Sequence, residues 1–147
     1  MKLTVCSVVS RTMLGVAAGA AIGAAVAAQE SRSVWDKVYS EEQAKRGALV
    51  YSGQCANCHA PDLTGGDAST PLTGDAFTEN WNDQSVGDLF ERIRISMPQD
   101  APGTLSRQQN TDVVAYILSV GKYPPGEGEL PTELDALKAI KITPRKP

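Results

Sequence analysis

Cys55-Ala56-Asn57-Cys58-His59 is the stretch that decides how this chain folds, because C-x-x-C-H is the spacing at which a polypeptide attaches a c-type haem. Two thiols three residues apart can each add to one vinyl group of a single porphyrin. The adjoining imidazole then lies under the iron as its proximal ligand. Two other chemistries use part of the string. A structural zinc site takes about four nitrogen or sulfur ligands, and beyond the first 28 residues the chain offers only Cys55, Cys58 and His59. A thioredoxin-type redox pair uses the two thiols but has no need of the histidine.

Upstream, residues 1–28 carry Lys2 and Arg11, then an apolar run of small residues from Met13, ending Ala25-Val26-Ala27-Ala28. This is the pattern of a secretory signal peptide, with cleavage after Ala27 or, preferably, Ala28. The run is Ala/Gly-rich and shorter than the ~20 strongly apolar residues of a spanning helix, which disfavours an uncleaved anchor. Cys6 lies too early for a lipoprotein site, and the lone Arg11 does not indicate twin-arginine export. A periplasmic location and no integral membrane segment after cleavage are therefore expected.

What remains is enough for one domain. The formal net charge of the chain is −3, and it becomes more negative once Lys2 and Arg11 leave, which argues against nucleic acid as a partner. A haem would use both remaining cysteines, leaving no disulfide to form. It also narrows the axial ligands. His59 is the single histidine of the chain, and Met97 is the one methionine left after Met1 and Met13 depart. With no second histidine, the far side of the iron has a methionine sulfur or nothing. Met97-Pro98 stands in an irregular stretch where a rigid loop could hold a thioether against a flat ring, or where methionine could simply fill a gap in the core.

The chain divides into a leader (1–28), an N-terminal extension (29–39), a main domain (40–121) and a Pro/Gly linker with a short C-terminal helix (122–147). Ser40-Glu41-Glu42-Gln43 reads as a capping box opening a helix to about Gln54, with Ala44, Gly47, Ala48 and Tyr51 on its inner stripe. Glycine in a helix interior costs roughly 1 kcal/mol, so Gly47 marks a place where another backbone comes close. Residues 60–74 have no periodicity and read as loop. Ser85 opens a helix to about Ile95 with Leu89, Phe90 and Ile93 inward, and Ser106-Arg107-Gln108-Gln109 is a second capping box before an amphipathic helix ending at Gly121. Residues 131–140 suggest a last helix with Leu134, Leu137 and Ile140 on one side. No sheet pattern is expected.

In these positions the chain resembles class I cytochrome c, from about Ser40 to Val120. The resemblance implies an all-α cytochrome c fold, three to five helices wrapped around one covalently bound haem c. It places Gly47 and Tyr51 where the N- and C-terminal helices cross, against Val113, Tyr116 and Ile117. It also implies thioethers at Cys55 and Cys58, iron held by His59 and Met97, and Trp81 bonded to a haem propionate, with Arg92 or Arg94 as charge partners. The run Met97-Pro98-Gln99-Asp100-Ala101-Pro102-Gly103-Thr104-Leu105-Ser106, together with Trp35 and the Pro/Gly tail, is similar to the small cytochromes associated with quinoprotein dehydrogenases. One departure is Thr70-Pro71-Leu72: where that family usually has a proline whose carbonyl accepts the proximal imidazole N–H, this chain has Thr70, leaving Thr70 or Pro71 as acceptor.

The function implied is one-electron transfer without catalysis, as a free shuttle or a subunit of a dehydrogenase complex, between a periplasmic dehydrogenase or another cytochrome and a respiratory acceptor such as a terminal oxidase, with Trp35 and the terminal helix as docking elements. An open-iron peroxidase-like enzyme or a haem-based ligand sensor is the alternative, but the first wants a distal acid or base, usually histidine, and the second an output module. Cys55→Ser and Cys58→Ser are each expected to weaken covalent haem attachment and the double variant to abolish it. Haem that stays with the double variant through acid–acetone extraction would overturn the attachment.

Overall fold

Helix α1 (Glu41–Gln54) begins at Ser40, whose hydroxyl accepts the Gln43 backbone N–H at 3.1 Å. The reciprocal half of the expected capping box does not form. Gln43 turns its amide inward instead, fully buried, donating to the Leu130 carbonyl at 3.2 Å and accepting the Leu130 N–H at 2.8 Å. A capping box would serve one backbone N–H, that of Ser40. The bonds to Leu130 satisfy two backbone groups that water cannot reach, so they prevail.

The computed structural model describes residues 32–67 and 69–144, and the expected leader lies outside them. After α1 come α2 (Ala56–His59), α3 (Gly74–Trp81), α4 (Val86–Ser96), α5 (Arg107–Val120) and α6 (Leu134–Lys138). Both halves of the capping box form at Ser85/Asp88 and at Ser106/Gln109, which starts α4 and α5 where the sequence indicates. Among the described residues the helices number six, the short α2 and α6 accounting for the excess over three to five. The all-α cytochrome c architecture is present, and no helix among the described residues is long and apolar enough to cross a membrane.

Two elements differ from expectation. Helix α3 was not foreseen: Thr73 and Asp75 are start-type residues, but they follow a loop rich in Gly, Pro, Asp and Thr, the helix has eight residues, and Thr73 makes no side-chain cap bond. The terminal helix is shorter than 131–140: after Lys138 the chain extends, and β2 (Ile140–Lys141) pairs in parallel with β1 (Arg32–Ser33), Arg32 opposite Ile140. This corrects the expectation of no sheet, and it moves Ile140 from a helix face to a buried strand position.

The α1–α5 contact organises the core. A Cβ placed at Gly47 would overlap the Asp112 carbonyl oxygen and stand 2.9 Å from the Tyr116 Cβ, so the close backbone approach read from this glycine is real. Its centre is Asp112 and Tyr116, with Val113 and Ile117 buried beside them. Tyr51 and Tyr116 meet at a tilt of 56°, 5.3 Å between centroids, one turn further on. Arg46 then ties the pair to the C-terminal segment. Its guanidinium donates to both oxygens of Asp112 (3.1 and 3.0 Å) and both of Glu129 (2.9 and 2.7 Å).

Residues 122–130 form a strap over the start of α1. The Tyr39 hydroxyl donates to the Tyr123 carbonyl at 2.6 Å, and the Gly126 N–H donates to the Tyr39 carbonyl at 2.7 Å. Trp35 meets Tyr123 edge-on at 4.9 Å and donates its indole N–H to the Thr143 carbonyl at 3.1 Å. Val34, Val38, Leu130, Leu137 and Ile142 therefore bury in the same core as the helices. A second close approach, at Gly87, sets α4 on α6: a Cβ there would lie 2.6 Å from Lys138 Cγ and 2.8 Å from Lys138 N.

Alanine in place of an exposed helical glycine adds roughly 1 kcal/mol. At Gly47 the sign should reverse: Gly47→Ala is expected to lose about 1–3 kcal/mol in denaturant titration, because the added methyl meets backbone that cannot turn aside. An unchanged or raised midpoint would show the helices free to separate.

Candidate functional site

Cys55 is the joint between α1 and α2. Its N–H closes α1 on the Tyr51 carbonyl at 2.8 Å, and its own carbonyl accepts from Cys58 (3.1 Å) and His59 (2.9 Å), starting a single new turn. That turn presents both thiols and the imidazole within five residues. Cys58 is exposed and Cys55 half-buried against the core. Burial pushes the Cys55 thiol up to about 11, with the neighbouring Cys58 adding to the shift.

The turn stops abruptly. Ala60 takes φ 64°, ψ 154°, a conformation that L residues seldom adopt, just ahead of Pro61. Two bonds hold it there: the Tyr51 hydroxyl donates to the Ala60 carbonyl at 2.7 Å, and the Gly65 N–H donates to the His59 carbonyl at 3.0 Å. Burial raises the Tyr51 phenol above its ordinary value, so it remains a donor across the physiological range. Its aromatic ring was legible as a helix-packing residue. The hydroxyl's task beside His59 carries no sequence signal.

The loop then folds back under the imidazole. Leu63 is fully buried, and the Leu72 N–H donates to the Leu63 carbonyl at 2.9 Å, drawing Thr70 to the Nδ1 edge of the ring. His59 Nδ1 lies 3.0 Å from the Thr70 carbonyl oxygen. A carbonyl can only accept, so Nδ1 carries the proton and Nε2 keeps its lone pair for a metal. Of the two candidate acceptors, Thr70 is the one.

Met97 is the C-cap of α4, its N–H on the Ile93 carbonyl at 2.9 Å, and its side chain is half-buried against the core. The peptide bond to Pro98 is cis, and Pro98 is buried. Trp81 ends α3, half-buried, its ring 6.2 Å from that of Phe77, and its indole N–H has no acceptor among the described residues. Arg94 is engaged by Glu91 at 2.8 Å, while Arg92 is exposed. Cys55, Leu72, Trp81 and Met97 thus all border one core half-buried. Among the described residues no group of three or more His, Cys, Asp or Glu could hold a metal, which leaves the zinc reading without its ligands. The donor set suits haem c: two thiols and an oriented imidazole on one turn, a thioether on a separate element, and an apolar border.

The family model described as cytochrome c oxidase, cbb3-type, subunit III matches residues 42–117, which span α1 to α5 up to Ile117. No curated protein is significantly similar to the chain. Among solved structures, the crystal structure of the sulfane dehydrogenase SoxCD from Paracoccus pantotrophus is similar at 19% identity and a TM-score of 0.44, over 60% of this chain and 53% of that one. The chain thus spans about half the length of that relative, at a similarity too loose to argue from. Helical architecture, C-x-x-C-H turn and family match agree: the chain belongs to this family of class I c-type cytochromes and is an electron-transfer haem protein.

Proposed function

We propose that this chain is an exported, periplasmic monohaem carrier whose haem is attached through Cys55 and Cys58 and whose iron is held by His59 and Met97. It passes single electrons between a dehydrogenase or another cytochrome and a respiratory acceptor. The observation that carries the reading is the 3.0 Å contact of His59 Nδ1 with the Thr70 carbonyl, which leaves Nε2 as a ligand on the turn that bears both thiols. The haem, when bound, supplies a one-electron couple.

The chain's own residues tune and guard that couple. The Thr70 carbonyl fixes the tautomer and orientation of His59, and makes the imidazole a stronger donor. A methionine sulfur from Met97 favours the ferrous state and raises the potential. Trp81 offers a free indole N–H suited to a propionate, with exposed Arg92 a better charge partner than Arg94, whose guanidinium Glu91 already holds. The absence of any histidine besides His59 leaves peroxidase chemistry without its usual distal acid or base. Electron exchange at an exposed edge near the thioethers needs only a small, brief interface with a redox partner. Trp35, expected as a docking element, spends its indole N–H on Thr143 and its ring on Tyr123, so it is better assigned to holding the terminal strap.

The ferric holoprotein is expected to show the weak far-red sulfur-to-iron band, lost in Met97→Ala with folding retained. A high-spin or freely ligand-accepting wild type would overturn the axial pair. In the haem-free chain, Cys58 is expected to react with iodoacetamide before Cys55 at pH 8, because Cys55 is half-buried and its thiol ionises only near about 11. Peptide mapping that found Cys55 labelled first would contradict the burial of that thiol.

A further inference from the structure

Asn110 lies in the first turn of α5, fully buried among apolar side chains such as Val113 and Val114. Its Nδ2 donates to the Leu105 carbonyl at 3.2 Å and to the Ser106 carbonyl at 2.9 Å. Two carbonyl acceptors on one side fix which end of the amide is nitrogen. The other end, Oδ1, is buried with no hydrogen-bond partner among the described residues. An unmatched buried acceptor costs roughly 1–3 kcal/mol, a cost that the two bonds of Nδ2 must offset. The amide is useful here only for what Nδ2 holds.

What it holds is the far end of the segment that starts at Met97. That segment is fastened at its near end by the Met97 N–H on Ile93 and braced inside by two turns, Ala101 N–H to the Pro98 carbonyl (3.0 Å) and Thr104 hydroxyl to the Ala101 carbonyl (2.8 Å). Among the described residues the Leu105 carbonyl accepts no backbone donor, so Asn110 is its partner. The Ser106 carbonyl already accepts the Asn110 N–H at 3.0 Å, so one residue grips both carbonyls at the join of segment and helix. Arg107 steadies this join from outside, with its guanidinium 5.1 Å over the Phe90 ring and bonded to the Thr132 carbonyl.

We propose that Asn110 is a positioning residue for the Met97 side of the iron: its amide anchors residues 97–105 and so sets how often Met97 leaves the metal. The inference rests on Met97 ligation. Imidazole added to the ferric holoprotein binds only the fraction of molecules in which Met97 is off, so its apparent affinity reports that fraction. Loss of one or two neutral hydrogen bonds raises the open fraction about tenfold. Asn110→Leu is expected to bind imidazole about tenfold more tightly and to lose the far-red band at a lower pH than wild type. A purely structural role would lower the melting temperature and leave both readouts unchanged, and that result overturns the proposal. Where Asn110→Leu does not fold, the wild type decides: the Asn110 side-chain amide protons should exchange slowly with solvent and accelerate when imidazole saturates the iron. Exchange unaltered by saturation overturns the proposal also. A wild type that lacks the far-red band removes Met97 ligation and this inference together, whereas a wild type with the band and an indifferent Asn110→Leu removes the inference alone.

Discussion

Contact between the backbones of α1 and α5 at Gly47 is the constraint on which the rest of this molecule depends. With the Asp112 carbonyl against the glycine, α1 has one available position on α5, and its last turn then places Tyr51 beside Tyr116. That places the Tyr51 hydroxyl at Ala60 and ends the turn that bears Cys55, Cys58 and His59. A helix-packing distance is thereby converted into the orientation of an imidazole. Packing of this density transmits displacement because there is little free volume to absorb it.

The two sides of the site are held differently. On the His59 side, the ring is fixed through backbone carbonyls, at Thr70 for Nδ1 and at Ala60 for the preceding turn, and the loop between is pinned by buried Leu63. Carbonyl geometry depends little on which side chain is present, which is why Thr70 serves where a proline is common. On the Met97 side, the segment has few internal bonds and is held by its ends. A rigidly held imidazole and a thioether on a tethered loop together suit the proposed axial pair, which must keep its geometry through a change of charge.

Much of this was legible because the governing signals are local. The haem motif is five consecutive residues, and Ser85 and Ser106 announce their helices through partners three residues away. Gly47 was readable as a close approach, although its partner had to come from elsewhere in the chain. What escaped reading was non-local or too short to have a period. Gln43 has the composition of a capping box, but its partner is Leu130, 87 residues away. Strands of two residues cannot show alternation, so β1 and β2 carry no pattern. Helix α3 lacks a capping side chain, and Asn110 looks like any polar residue near a helix start until its burial is known.

The parallel pairing of residues 32–33 with 140–141 makes the described chain a closed ring. A polypeptide that emerges N-terminus first during synthesis cannot complete such a ring until residues near 140 have been made. Until then the core lacks Leu137, Ile140 and Ile142, and the strap has not covered the start of α1. Contacts of this sequence separation form late and slowly. The ends thus close over a core whose α1–α5 contact needs neither of them, and their pairing is among the last long-range contacts that the emerging chain can make.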